Sequence, residues 1–413
     1  MAENKAELRA QRDARIMTAT RLGVPDRVPW VPKVAGFIQY NVDSNYYMAM
    51  LDTRNQEEGY RRFCREYDPD AVTFYKMYNI PVIDALDPVH ILYPGPQYGV
   101  PIDASFQHLD SVFLEDGEYP EFIANPSQFI LSKLWPRKFA KLKGLSKVSV
   151  RQVYDYGVFA EFAAFADPEV QDALQALVDA GKAQMRRNSQ DAQVEGWLAD
   201  EGYSVYAQGS MVNAFDAFAD GCRGIVQAVM DCVEFPDELL QALHVIHSNT
   251  IAAAFKRFKA AGATRIFVPL HCGVDEFMSP ANYEKFYWPF LKKVILGLIE
   301  EDIIPWVFCE GKYNTRLDCL TDVPKGKVVY SFEEVDMKRV KETIGQVACI
   351  TGNLSTPLLV LGTPKQVREE TKRLLDICAP GGGFIMDCSI IVDNAKPENM
   401  HAWREATLEY GGY

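Results

Sequence analysis

The sequence predicts an α/β protein folded as a TIM (β/α)8 barrel, and three observations predict it. The C-terminal two-thirds alternates short apolar runs with amphipathic stretches of helical length, a pattern that implies parallel strands joined by helical crossovers. Eight strand candidates can be counted, which is the number of such a barrel. No GxGxxG follows an early strand, so the usual signature of a doubly wound dinucleotide fold is missing.

The elements follow in order, within a single domain spanning 1–413. Residues 1–25 are densely charged and read as an N-terminal helix; "MAENKAELRAQRDARIM" has no apolar core of a signal peptide. Strand candidates are "VPWVPKV" (28–34) and "DAVTFYKM" (70–77). A long insertion, about 78–202, then separates strands two and three. It holds the loop-rich "YPGPQYGVPIDASFQHLD" and two or three helices, and a segment of this kind usually serves as a lid or substrate region. Strand three is "YSVYAQG" (203–209), followed by a helix at 236–261. Strand "TRIFVPL" (264–270) is preceded by Gly262. The next helix starts with Ser279 as N-cap and Pro280 in its first turn. Strand 303–308, helix 312–320, strand 327–332, helix 336–344 and strand 346–352 come next. Helix 364–378 opens on Thr363-Pro364 and stops at "PGGG", which precedes a strand and is a turn rather than a phosphate cradle. Strand 383–387 and helix 397–409 complete the series.

A chain that is 48% hydrophobic and 24% charged suits a large soluble core. The net charge of −13, with no basic stripe, excludes nucleic acid as a partner. No apolar run reaches the roughly 20 residues of a membrane helix, so the expected location is cytoplasmic. Nine scattered cysteines with no CxxC argue for reduced thiols or metal ligands rather than a disulfide framework.

Barrel enzymes place their chemistry at the C-terminal ends of strands. Four late strands end in His271-Cys272-Gly273, Cys309-Glu310-Gly311, Thr351-Gly352-Asn353 and Asp387-Cys388-Ser389. Three of the four finish with side chains that bind zinc, and a catalytic zinc needs three protein ligands and an open position. Each residue also has an ordinary explanation: a buried small thiol, a hydrogen-bonded histidine, a helix-capping glutamate. Their convergence at one barrel mouth is what favours a metal. His271, Glu310 and Cys388 are the expected ligands, with Cys309 as a possible substitute, and Glu310 and His271 as the catalytic pair. His244 and His247, one turn apart, lack an acidic partner on their face and are expected to be packing residues on an outer helix. The aromatic residues Phe37, Tyr40, Phe74 and Tyr75 are expected either to fill a secondary core or to line an apolar substrate pocket.

The segments "MSPANYEKFYWPFLKKVI", "ITGNLSTPLLVLGTPKQVREETKRLLDI", "APGGGFIMDCS" and "AKPENMHAW" resemble the uroporphyrinogen decarboxylase superfamily, and most nearly its corrinoid-dependent methyltransferase branch. They span roughly residues 260–413; residues 1–200 match less clearly. The resemblance implies a TIM barrel. Decarboxylases of this family carry an RQAGR motif that grips the porphyrinogen carboxylates, whereas this chain has "VPKVAGFIQY", with Lys33 its only cation there. The thiol methyltransferases carry H-x-C-G, which aligns on Phe308-Cys309-Glu310-Gly311, so Glu310 stands where the family keeps a cysteine ligand. Less sulfur on zinc leaves a stronger Lewis acid, suited to releasing an oxygen leaving group. The resemblance therefore implies a zinc-dependent O-demethylase methyltransferase. It would move methyl from a small donor, an aryl methyl ether, to cobalt(I) of a corrinoid. The chain has no D-x-H-x-x-G motif, so the corrinoid must come on a partner protein. Alternatives are transfer to a thiol or folate, and a decarboxylase-like lyase. A homodimer is compatible with the sequence.

Overall fold

A computed structural model describes residues 4–40, 42–97, 99–149 and 162–413, without the side chain of Tyr40. Its centre is a five-stranded parallel sheet of β3 (Arg265–Leu270), β4 (Ile304–Lys312), β5 (Val329–Glu334), β6 (Cys349–Thr351) and β7 (Phe384–Ile385), in that order. The strands are buried on both faces, as parallel strands covered by crossover helices must be.

Isolated parallel bridges continue the pairing beyond both edges. Trp30 pairs with Met386 beside β7, Val72 with Val205, and Ser210 with Phe267 on β3. Asp70 N donates to Trp30 O at 2.9 Å, linking the first two of these segments. The three early strands expected from the sequence are thus present as bridged segments rather than as full ladders. Pro29 and Pro32 remove two donors from the first.

The N-terminal helix α1 (Lys5–Thr20), capped by Asn4, places Ile16 and Ala19 against Val31, Ala71, Tyr206, Trp306, Val329, Cys349 and Ile385. Val329 and Cys349 are the first residues of their strands, so the helix seals the N-terminal ends of the sheet and leaves the C-terminal ends for chemistry. The insertion holds a 33-residue helix, Pro168–Asp200, and a short antiparallel pair, β1 (Ile91–Leu92) with β2 (Gln107–His108).

Several boundaries differ from expectation. β4 runs on through Cys309, Glu310 and Gly311 to Lys312, because Gly311 adopts a φ of +81° and absorbs a register shift. The helix expected at 312–320 shortens to Leu317–Leu320. Among the described residues no helix is long and apolar enough to cross a membrane.

Candidate active site

The C-terminal ends of β3 and β4 bring His271 and Glu310 face to face, with His271 Nε2 3.6 Å from Glu310 Oε2. About a third of each side chain is exposed, so both are open to solvent at the strand ends. On its other side, His271 Nδ1 lies 2.9 Å from Asp220 Oδ2. Asp220 sits on a single π-helical turn, Ala219–Arg223, that extends helix Ala214–Phe218.

That helix also supplies Asp216, which is fully buried. Asn213 caps the helix and donates to Asp216 Oδ2 at 2.7 Å; Tyr287 Oη donates to the same oxygen at 2.6 Å, and Cys272 N to Oδ1 at 2.9 Å. Asp216 therefore ties the end of β3 to the helix carrying Asp220. Behind Glu310, Gly311 N donates to Glu333 Oε2 at 2.6 Å. A side chain at Gly311 would meet Val274 Cγ1 at 2.9 Å, so glycine is required by space as well as by backbone angle.

The electrostatics follow from this crowding of carboxylates. Burial alone would lower the His271 pKa. The hydrogen bond that His271 donates to Asp220 and the charges of Asp216, Asp220 and Glu310 outweigh it and lift the imidazole to about 9. Burial raises the Glu310 carboxyl, opposed by His271 and reinforced by Glu333, Asp216 and Asp220. Burial likewise raises Asp216.

Two residues of the insertion, Tyr78 and His108, lie within electrostatic reach of this pair. Burial, then Asp220, raises the Tyr78 phenol. Burial lowers His108, with Asp220 opposing and His271 assisting. Tyr78 Oη lies 3.3 Å from His108 Nε2, and Phe106 packs edge-on to both rings. The Tyr75 phenol is raised by burial first and then by Tyr78, Asp393 and Glu310. Tyr75 itself packs against the cluster of Tyr46, Met77, Ile80 and Tyr93. Phe37 is buried against Phe63 and Tyr67, and Phe74 against Tyr60, so both fill the core. The side chain of Tyr40 lies outside the described residues. His244 and His247 pack on Phe290, as expected of outer-helix residues.

Cys388 is placed differently from the other two expected ligands. It is buried, with Sγ 3.6 Å from Lys33 O and 3.4 Å from Asp387 Oδ1, and burial pushes its thiol well up. Lys33, also buried, pairs with Asp387 and donates to Ser331 Oγ at 2.9 Å and Cys388 O at 3.0 Å. Cys309 is fully buried, its thiol raised by that burial. Among the described residues, no group of three or more His, Cys, Asp and Glu stands close enough together to hold a metal ion. For zinc, the fit is therefore partial. Donors about 2.1 Å from a tetrahedral ion lie roughly 3.4 Å apart, near the His271–Glu310 spacing, and Asp220 supplies the carboxylate that commonly backs a ligating imidazole. The sulfur of the expected set is engaged elsewhere.

Sequence reading missed Asp216 and Asp220. Their signal was present, since carboxylates four residues apart follow the Asn213 cap just after the third strand.

Residues 207–410 match the family profile described as Uroporphyrinogen decarboxylase (URO-D). This half of the chain belongs to the uroporphyrinogen decarboxylase superfamily. Among curated relatives, a uroporphyrinogen decarboxylase of Geobacter sulfurreducens is 32% identical over 124 residues, which is 30% of this chain and 35% of the relative. A methylcobamide:CoM methyltransferase of Methanosarcina acetivorans is 26% identical over 176 residues, 42% of this chain and 50% of the relative. The matches thus span between a third and a half of these relatives' length. A solved methyltransferase from Methanosarcina mazei aligns over 97% of this chain and 98% of its own, with a TM-score of 0.61 and 17% identity. That likeness carries the fold over nearly the whole chain and nothing finer. Decarboxylases and a methyltransferase are both represented among these relatives.

Proposed function

We propose that this chain is the methyltransferase component of a corrinoid-dependent O-demethylase system, built on a (β/α)8 barrel closed by the bridges at Trp30, Val72 and Ser210. The carrying observation is the strand-end pair His271 and Glu310, backed by Asp220 and open to solvent. Its methyl donor is a small aryl methyl ether, flanked by Tyr75, Tyr78 and Phe106, and its acceptor is the cobalt(I) corrinoid of a partner protein. The C–O bond breaks with its electrons on oxygen, and the electron pair of cobalt(I) forms the new bond to carbon. The carboxylate of Asp220 orients the imidazole so that Nε2 faces Glu310. Zinc would be held by His271 and Glu310, with Cys388 as the third ligand read from the sequence, and would supply a Lewis acid for the departing oxygen.

The sealed Lys33 weighs against the decarboxylase alternative. Paired with Asp387 and cut off from solvent, it has no charge to offer a polycarboxylate, and an acidic chain is a poor host for one. The test mixes this protein with 2-methoxyphenol and a corrinoid protein reduced to cobalt(I). Conversion of the cobalt(I) spectrum to that of methylcobalt(III) is expected, and loss of that conversion in Glu310→Ala. Demethylation in the absence of any corrinoid would refute the proposal.

A further inference from the structure

The ladder between β3 and β4 ends at the pair Leu270 and Cys309. His271 and Glu310 each stand one residue beyond it, so backbone pairing does not set the distance between them. The loops that follow the two strands do so instead.

These loops are bonded to each other. Asp275 N donates to Lys312 O at 2.8 Å. Thr315 Oγ1 donates to Asp275 Oδ1 at 2.7 Å, and Thr315 N to Asp275 Oδ2 at 3.3 Å. Arg316, 1% exposed, completes the link from the β4 side. Its Nε donates to Gly273 O at 3.2 Å, and its Nη2 to Val274 O at 3.2 Å and to Met278 O. Nε also stands 3.5 Å from Asp275 Oδ1. One planar fork thus takes three carbonyls of the loop after His271, which the compact ammonium of lysine cannot reproduce. The guanidinium itself is seated over the Tyr283 ring, 4.7 Å from its centroid. The loop it holds places Val274 against Gly311, where a Cβ would lie 2.9 Å from Val274 Cγ1. The contacts of Arg316 therefore bear on the residue after Glu310 as well as on those after His271.

The structure assigns Arg316 as a positioning residue that sets the spacing of His271 and Glu310 without touching either. The inference rests on the methyltransferase reading above, in which that pair faces the oxygen of the donor. Reactive geometry is steep, and a displacement of about 1 Å can cost about 100-fold in rate. A residue needed only for folding would change the amount of folded protein and leave the turnover of each folded molecule alone. A positioning residue changes turnover itself, and most for donors whose phenolate leaves poorly, since these depend most on the pair.

Arg316→Lys in the full chain tests this, with the cobalt(I) corrinoid protein as acceptor and circular dichroism to count folded molecules. For 2-methoxyphenol, kcat should fall about ten-fold or more, with the donor KM within about two-fold of wild type. The loss should be smaller for 4-nitroanisole, whose phenolate leaves readily. In NMR spectra of ring-labelled histidine, the His271 signal, assigned through His271→Gln, should move. The signals of His244 and His247, which pack on Phe290, should not. A folded Arg316→Lys with wild-type turnover overturns the proposal. So does an equal loss for both donors with the His271 signal unmoved, which would leave Arg316 a purely structural residue. If Arg316→Lys fails to fold, Thr315→Val, which deletes one bond between the loops, replaces it. That variant should move the His271 signal and lower kcat about two-fold or more, Thr315→Ser should recover both, and an unmoved signal overturns the proposal. Wild type that demethylates neither donor overturns the methyltransferase reading, and the His271 signal then decides the positioning role alone.

Discussion

Two of the fold's ionic centres, one around Lys33 and one around His271, differ in almost every respect. Lys33 with Asp387 is sealed, at 1% and 0% exposure, and the lysine ammonium has three acceptors. His271, with Asp220 and Glu310, is about a third exposed, and carboxylates outnumber it. The first joins the first strand segment to the end of β7 and completes its own hydrogen bonding. The second leaves Nε2 of the imidazole facing Glu310 and lets acidic neighbours set its charge. Burial and full satisfaction signal architecture here, whereas partial exposure and unbalanced charge signal chemistry. Cys388 is adjacent in sequence to the first centre and shares its burial.

The largest expected effect would come from breaking the sealed centre. Lys33→Met leaves Asp387 buried and uncompensated and should cost about 3–5 kcal/mol in denaturant unfolding. A loss below about 1 kcal/mol would mean that the two centres are less different than their burial implies. Next, Glu310→Gln should abolish methyl transfer and change stability by less than about 1 kcal/mol, because the side chain is partly solvated; parent activity would remove it from the chemistry.

Metal content sharpens the comparison further. About one zinc per chain is expected, lost in Glu310→Ala and kept in His244→Ala. If Cys388 belongs with the sealed centre, Cys388→Ala should retain zinc and cost about 1 kcal/mol in stability. Zinc loss equal to that of Glu310→Ala would instead make its sulfur the third ligand. Glu310→Cys should keep zinc but slow ether cleavage, most for donors with poor leaving groups.

The smallest effect is in pH. The folded pKa of His271 is about 9, against an ordinary value of 6.5. Protonation thus favours the folded state. The contribution is complete below about pH 6.5 and fades as pH rises through about 9. Thermal midpoints of metal-free wild type should fall across that window more than those of Asp220→Asn, in which the main hydrogen-bonding charge is gone. Parallel curves would show that Asp220 does not hold the proton.

The regular C-terminal elements were legible because local signals there agree with tertiary packing. Helix Pro364–Cys378 was expected with those bounds, and its Thr363/Gln366 capping box is in place. The strand ends carrying His271 and Glu310 were legible for the same reason. The end of β4 was not, because Cys309-Glu310-Gly311 reads as a turn until a positive φ at Gly311 lets pairing resume at Lys312 with Glu334. The fate of Cys388 was hidden as well. Its partners, Lys33 and Asp387, stand 355 and one residue away, and only the nearer one is visible in a local reading. Tyr78 and His108 were out of reach for a different reason, since nothing in the insertion's sequence says which of its residues come within electrostatic reach of Asp220.

The π turn at Ala219–Arg223 has a consequence of its own. Such a turn is an α-helix holding one surplus residue, and one residue of helix corresponds to about 100° of rotation. Deleting a single codon within 217–219 would restore a plain helix and swing Asp220 away from His271. The carboxylate behind the imidazole thus depends on that surplus residue, so a lineage could gain or lose it in one genetic event.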